Sequence, residues 1–154
     1  MAKPALQVEN LRMVFHVSRA GKKRIALDNL SLTVNEGEVV GFIGPNGAGK
    51  TTTIKILMGF LFPTGGTVRV MGREAGSKIA RSHTGYLPEV ALYYPFLTAA
   101  EILFLYGRLQ GISRRDLKTM IPRLLSLVGL DDSEKLRLRD FSRGMLQRVG
   151  LAQA

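Results

Sequence analysis

The chain has 154 residues, 45% hydrophobic and 22% charged, with no cysteine and a formal net charge of +10. That length supports one domain with a genuine core, and the absence of thiols excludes disulfides, thiolate metal sites and a catalytic cysteine. The excess of cations leaves nucleic acid, an anionic membrane surface and an anionic ligand all open as partners.

The basic groups are GKKR (Gly21–Arg24), RR (Arg114–Arg115) and KLRLR (Lys135–Arg139). They are short and lack the interleaved aromatics of a base-stacking platform, so solvated faces are the expectation. The opening MAKPALQVEN has no apolar signal core, and runs such as Ile56–Phe62 fall short of the ~18 residues of a membrane span. The expected setting is cytosolic.

In chain order, Leu6–Phe15 and Leu30–Val34 read as strands, rich in apolar and β-branched residues. Asn35–Glu38 is a turn into EVVGFIG (Glu38–Gly44), a near-continuous apolar run of the kind found in strands buried on both faces. A glycine-rich loop follows, then a helix expected to end near Gly59. After a turn at Pro63–Gly66, Val68 and Val70 alternate with Arg69 as in a half-buried strand. The remainder is helical. Thr98 and Glu101 have capping-box spacing, and Ser113 with Asp116 marks a second start. Pro122 should kink or split that second helix. Ser142 caps a last run that is still in helical register at Ala154.

Gly44, Gly49, Lys50 and Thr51 satisfy G-x-x-x-x-G-K-[ST], placed between the strand pattern and the helix pattern as that motif requires. Glycines let the backbone wrap closely and turn its N–H groups inward, and the helix N-terminus adds partial positive charge. Lys50 supplies a full charge for the β- and γ-phosphates, and the Thr51 hydroxyl is placed to ligate Mg²⁺. The loop is built for a nucleoside triphosphate.

GPNGAGKTT (Gly44–Thr52) resembles the nucleotide-binding domain of ABC transporters. GYLPE (Gly85–Glu89) lies where that family has its Q-loop. FSRGM (Phe141–Met145), followed by Gln147 and Arg148, resembles the signature motif LSGGQ-QR. Glu89 in place of glutamine, together with Arg143 and Met145 in the signature, resembles the subgroup serving ABC-2-type exporters. The resemblance implies a P-loop NTPase α/β fold: an antiparallel β part and Walker A strand-loop-helix over 1–95, a helical subdomain over 96–142, and a signature helix over 142–154.

The resemblance also implies site residues. Pro45, Asn46, Gly47, Ala48 and Thr52 join Gly44, Gly49, Lys50 and Thr51 around ATP. Phe15 would stack on adenine, or else is strand core. Glu89 would sit near Mg²⁺ and the attacking water, or else is a surface carboxylate. Ser142 and Gly144 would face the γ-phosphate held by a second subunit, a role compatible with plain helix capping. The acidic Walker B strand, D-loop and switch histidine of the family are absent from this sequence, and Leu124–Asp132, with helical spacing and Gly129, does not replace them. Without that strand the sheet is expected to have a gap with uncovered apolar surface.

The implied partners are transmembrane permease subunits and a second nucleotide-binding domain, at the inner face of the cell membrane. The compact span from GYLPE to FSRGM lacks the heptads and arms of ABC-type ATPases working on nucleic acid or the ribosome, so nucleic acid is not expected. A non-catalytic ATP-binding module is the other reading left open.

Overall fold

A computed structural model describes residues 3–16, 22–90, 92–133 and 135–154; Gly21 of the first basic group and Ala91 lie outside the described residues. The chain divides into two compact units, Met1–Thr84 and Gly85–Ala154.

In the first unit, β1 (Pro4–His16), β2 (Lys23–Asn35), β3 (Gly65–Val70) and β4 (Arg73–Glu74) form an antiparallel sheet of order β2-β1-β3-β4. β2 begins well before the expected Leu30. Helices α1 (Lys50–Leu57) and α2 (Lys78–Ser82) accompany the sheet. Simple alternation would put Val8 and Leu11 on opposite faces, yet both are buried. A bulge resolves this: Asn10, at φ 49°, takes up one extra residue between the pairs Val8↔Leu32 and Leu11↔Leu30. Asn29, at φ 55°, does the same on β2 before Met13↔Leu27. The two bulges cancel, so Val8, Leu11, Met13 and Leu27 share one core with Ile56 of α1 and Val68 of β3. Helix α1 ends as the sequence implies, with Gly59 at φ 72° just past its C-cap Met58.

One expected element is missing. Glu38–Gly44 forms no strand; Val39 is 100% exposed and Ile43 94% exposed. Its composition suits a strand flanked on both sides, and among the described residues no neighbour offers it a ladder. A strand exists only through such partners.

In the second unit, α3 (Ala99–Leu109), α4 (Arg114–Leu127) and α5 (Arg143–Gln153) surround a core of Ile102, Leu103, Leu117, Ile121, Leu125 and Val149. The Thr98–Glu101 capping box is complete in both directions, and Ser113 accepts from the Asp116 N–H. Gly107 is what lets α3 approach α4, because a Cβ there would collide with Leu117. Of the expected kink or split at Pro122, the split does not occur: α4 is one helix through that residue. Pro122 is exposed, and the buried stripe Leu117–Ile121–Leu125 continues past it, so packing offsets one lost backbone hydrogen bond. No helix among the described residues is long and apolar enough to cross a membrane.

Candidate functional site

The phosphate-loop residues come together in the first unit. Gly44–Ala48 form an exposed turn in which the Ala48 N–H donates to the Pro45 carbonyl at 3.2 Å. The chain then enters α1 through Gly49, the N-cap, at φ 89° and ψ 0°. This left-handed conformation suits glycine, and a Cβ would also meet Leu27 Cδ2 at 2.5 Å and the Ala26 carbonyl at 2.7 Å. Helix start and β2 are thus in direct contact. Thr53, 1% exposed, fastens the junction, its Oγ1 donating to the Gly49 carbonyl at 3.1 Å. The sequence reading passed over Thr53 because its hydroxyl serves the backbone of its own helix.

Gly49 gives α1 no side-chain cap, and the first turn of α1 holds no acidic residue. By contrast, Ser77, Thr98, Ser113 and Ser142 each cap the helix they precede. The N–H groups opening α1 and the positive end of its dipole therefore point at open surface, where an anion is stabilised. Lys50 Nζ donates to the carbonyls of Gly44 at 2.5 Å and Pro45 at 2.8 Å, which holds the ammonium across the loop. Neutral carbonyls are weaker acceptors than phosphate oxygens, so an entering polyphosphate would draw the ammonium off them.

Thr51 is exposed in the same first turn, with Thr52 half-buried beside it. No group of three His, Cys, Asp or Glu among the described residues could hold a metal by itself. A lone hydroxyl beside a phosphate cradle fits Mg²⁺, which binds few protein ligands and takes the rest from phosphates and water. Phe15 lies half-buried on β1, against the core that contains Leu27.

Ahead of the loop, Glu38 accepts from the Asn35 N–H at 2.8 Å and from Asn35 Nδ2 at 2.9 Å. The side-chain bond and then the backbone bond hold its carboxyl below the usual range.

The other candidates belong to the second unit. Glu89 is exposed in a bend. Ser142 is the N-cap of α5, its Oγ accepting from the Met145 N–H at 3.3 Å, and Gly144 is exposed in the first turn. Arg148, noted only for its place after the signature, has a structural job: its Nη1 donates to the carbonyls of Gly129 at 2.8 Å and Val128 at 3.3 Å. It thereby caps the C-terminus of α4 from α5. Gly150 brings α5 against the GYLPE segment, since a Cβ there would strike Leu87 and lie 2.9 Å from Tyr93 Oη. Burial and then Tyr106 raise the Tyr93 pKa above 10.0.

Residues 27–154 match the family model described as ABC transporter. The uncharacterized ABC transporter ATP-binding protein YxlF of Bacillus subtilis is 46% identical over 129 residues, covering 84% of this chain and 43% of the relative. The Nod factor export ATP-binding protein I of Paraburkholderia xenovorans is 36% identical over 140 residues, covering 90% of this chain and 46% of the relative. A solved structure described as the ATP binding subunit of an ABC transporter superposes with a TM-score of 0.81 at 30% identity, covering 97% of this chain and 61% of that one. The chain thus spans less than half the length of the curated relatives it matches.

Proposed function

The chain belongs to the ABC transporter family, and from that premise we propose that it is the Mg·ATP-receiving part of a subunit that drives export. The observation supporting this most is the uncapped, glycine-entered N-terminus of α1, with Lys50 held across it. Backbone N–H groups from Gly47 to Thr52 take the phosphates. Lys50 leaves the Gly44 and Pro45 carbonyls for β- and γ-phosphate oxygens, and Thr51 gives its hydroxyl to Mg²⁺. Mg²⁺, when bound, supplies neutralisation of charge on the phosphates. Phe15 carries the adenine. Glu89, by the resemblance of its segment to the Q-loop, serves near Mg²⁺ and the attacking water and transmits nucleotide state to a membrane subunit. Phosphoryl transfer depends on positioning and charge stabilisation, so these residues have complementary tasks.

Ser142 and Gly144 face the γ-phosphate held by a second nucleotide-binding domain. Closure of the pair acts on transmembrane permease subunits at the inner face of the membrane. Export as the direction rests on the Glu89, Arg143 and Met145 variants and on the name of the Nod factor relative. By itself this chain turns ATP over weakly or not at all.

The test is to express the product of the complete gene with any multi-span membrane subunit encoded beside it. Co-purification with that subunit, and ATP hydrolysis abolished by Lys50→Ala, are expected. Hydrolysis indifferent to Lys50→Ala, or retention on nucleic acid in place of membrane, would overturn the reading.

A further inference from the structure

We infer that Arg24 is a nucleoside-binding residue, its guanidinium lying against the base on the side of the phosphate loop where Phe15 stands. The inference rests on the reading of that loop as an ATP site.

Residues directly opposite in an antiparallel pair project to the same face. Phe15 pairs with Arg24, two steps along β1 from the pair Met13↔Leu27. Met13 and Leu27 are buried toward the core, and Leu27 is the side chain that meets Gly49. Phe15 follows Met13 at strand period on that face and packs against the same core. Arg24, its cross-strand partner, therefore stands on the phosphate-loop face of the hairpin. Arg24 lies three residues from Leu27 along β2, a span of about 10 Å at ~3.3 Å per residue. The two share a face because the register shift between the pairs Met13↔Leu27 and Val14↔Ile25 takes up one extra β2 residue. That is the reach from phosphates seated on the α1 N-terminus to the base of the same nucleotide.

The chemistry agrees with the placement. Arg24 is exposed and takes part in none of the ion pairs found among the described residues. The carboxylate nearest in sequence, Asp28, is 3.5 Å from Arg12. A planar guanidinium stacks on aromatic faces and donates from its edge, so it suits a heteroaromatic base better than an ammonium does. Lys23 pairs with His16 and so projects to the opposite face, which makes it a charge-matched control.

The experiment titrates the full chain with Mg·ATP and, separately, with Mg·tripolyphosphate, comparing wild type, Arg24→Ala, Arg24→Lys, Lys23→Ala and Lys50→Ala, each checked by thermal melting. Arg24→Ala should weaken ATP about five- to thirtyfold, the range of a partly desolvated cation–π contact, and leave tripolyphosphate unchanged. Arg24→Lys should fall between, and it carries the test if the alanine variant fails to fold. Lys23→Ala should change neither ligand, and Lys50→Ala should weaken both. Equal weakening of both ligands by Arg24→Ala, no weakening of either, or an equal effect from Lys23→Ala would overturn the assignment. Indifference of both ligands to Lys50→Ala would instead bring down the loop reading, and the Arg24 assignment with it.

Discussion

Replacing Gly49 with alanine should cost far more than the same change at Gly47, although both glycines have nearly the same backbone. Their φ values are 89° and 85°, so each alanine pays about 1–2 kcal/mol for a left-handed L-residue. The surroundings differ. A Cβ on Gly47 meets nothing within 4 Å, whereas one on Gly49 lies 2.5 Å from Leu27 Cδ2 and 2.7 Å from the Ala26 carbonyl oxygen. Leu27 is only 6% exposed and Ala26 O is strand backbone, so neither retreats freely. Overpacking of this kind adds about 1–3 kcal/mol. Gly49→Ala should therefore cost about 2–5 kcal/mol, a large fraction of an ordinary domain's stability, against about 1–2 for Gly47→Ala. At about 4–8 °C per kcal/mol for a unit of this size, thermal melting should separate the two variants by at least about 4 °C. Equal losses would refute the claimed contact between the start of α1 and β2.

Three further outcomes follow from the second unit. Ser142→Ala should cost about 1 kcal/mol, the usual worth of an N-cap, with faster hydrogen exchange confined to the first turn of α5; unchanged exchange there would contradict the cap. Arg148→Ala should cost about 1–3 kcal/mol by exposing or stranding the Val128 and Gly129 carbonyls, seen as faster exchange where α4 ends; an effect at α5 alone would contradict the clamp. Tyr93, with its folded pKa raised, should ionise at higher pH in the folded chain than after unfolding, seen as a Tyr93-dependent step lost from an absorbance titration of Tyr93→Phe. Its contribution to stability is fully present below the ordinary tyrosine value and is lost as pH rises through the folded one, so Tyr93→Phe should flatten the alkaline decline; an unchanged decline would contradict this.

Local signals carried most of what could be read from the chain. Thr98 with Glu101, Ser113 with Asp116, and Ser142 announced their helices because a cap is decided within three residues. Gly44, Gly49, Lys50 and Thr51 announced the cradle because its chemistry lies in consecutive backbone. What escaped depended on partners distant in sequence. Glu38–Gly44 has the composition of a doubly covered strand, and composition cannot say whether neighbours are present. The compensating bulges at Asn10 and Asn29 appear only when β1 and β2 are set side by side. Arg148 acts 19 residues back along the chain, on Gly129. Pro122 does not split its helix, because the buried stripe around it outweighs one missing donor. Helix α2 is too short for periodicity, and its Ser77 cap was not read as a helix start.

The most direct test of the central claim is equilibrium binding of Mg·ATP to this chain beside Lys50→Ala. The cradle around α1 predicts saturable binding that falls about ten- to a hundredfold when the charge-assisted contacts of Lys50 are removed. Equal binding by both proteins, or none by either while both remain folded, would contradict it.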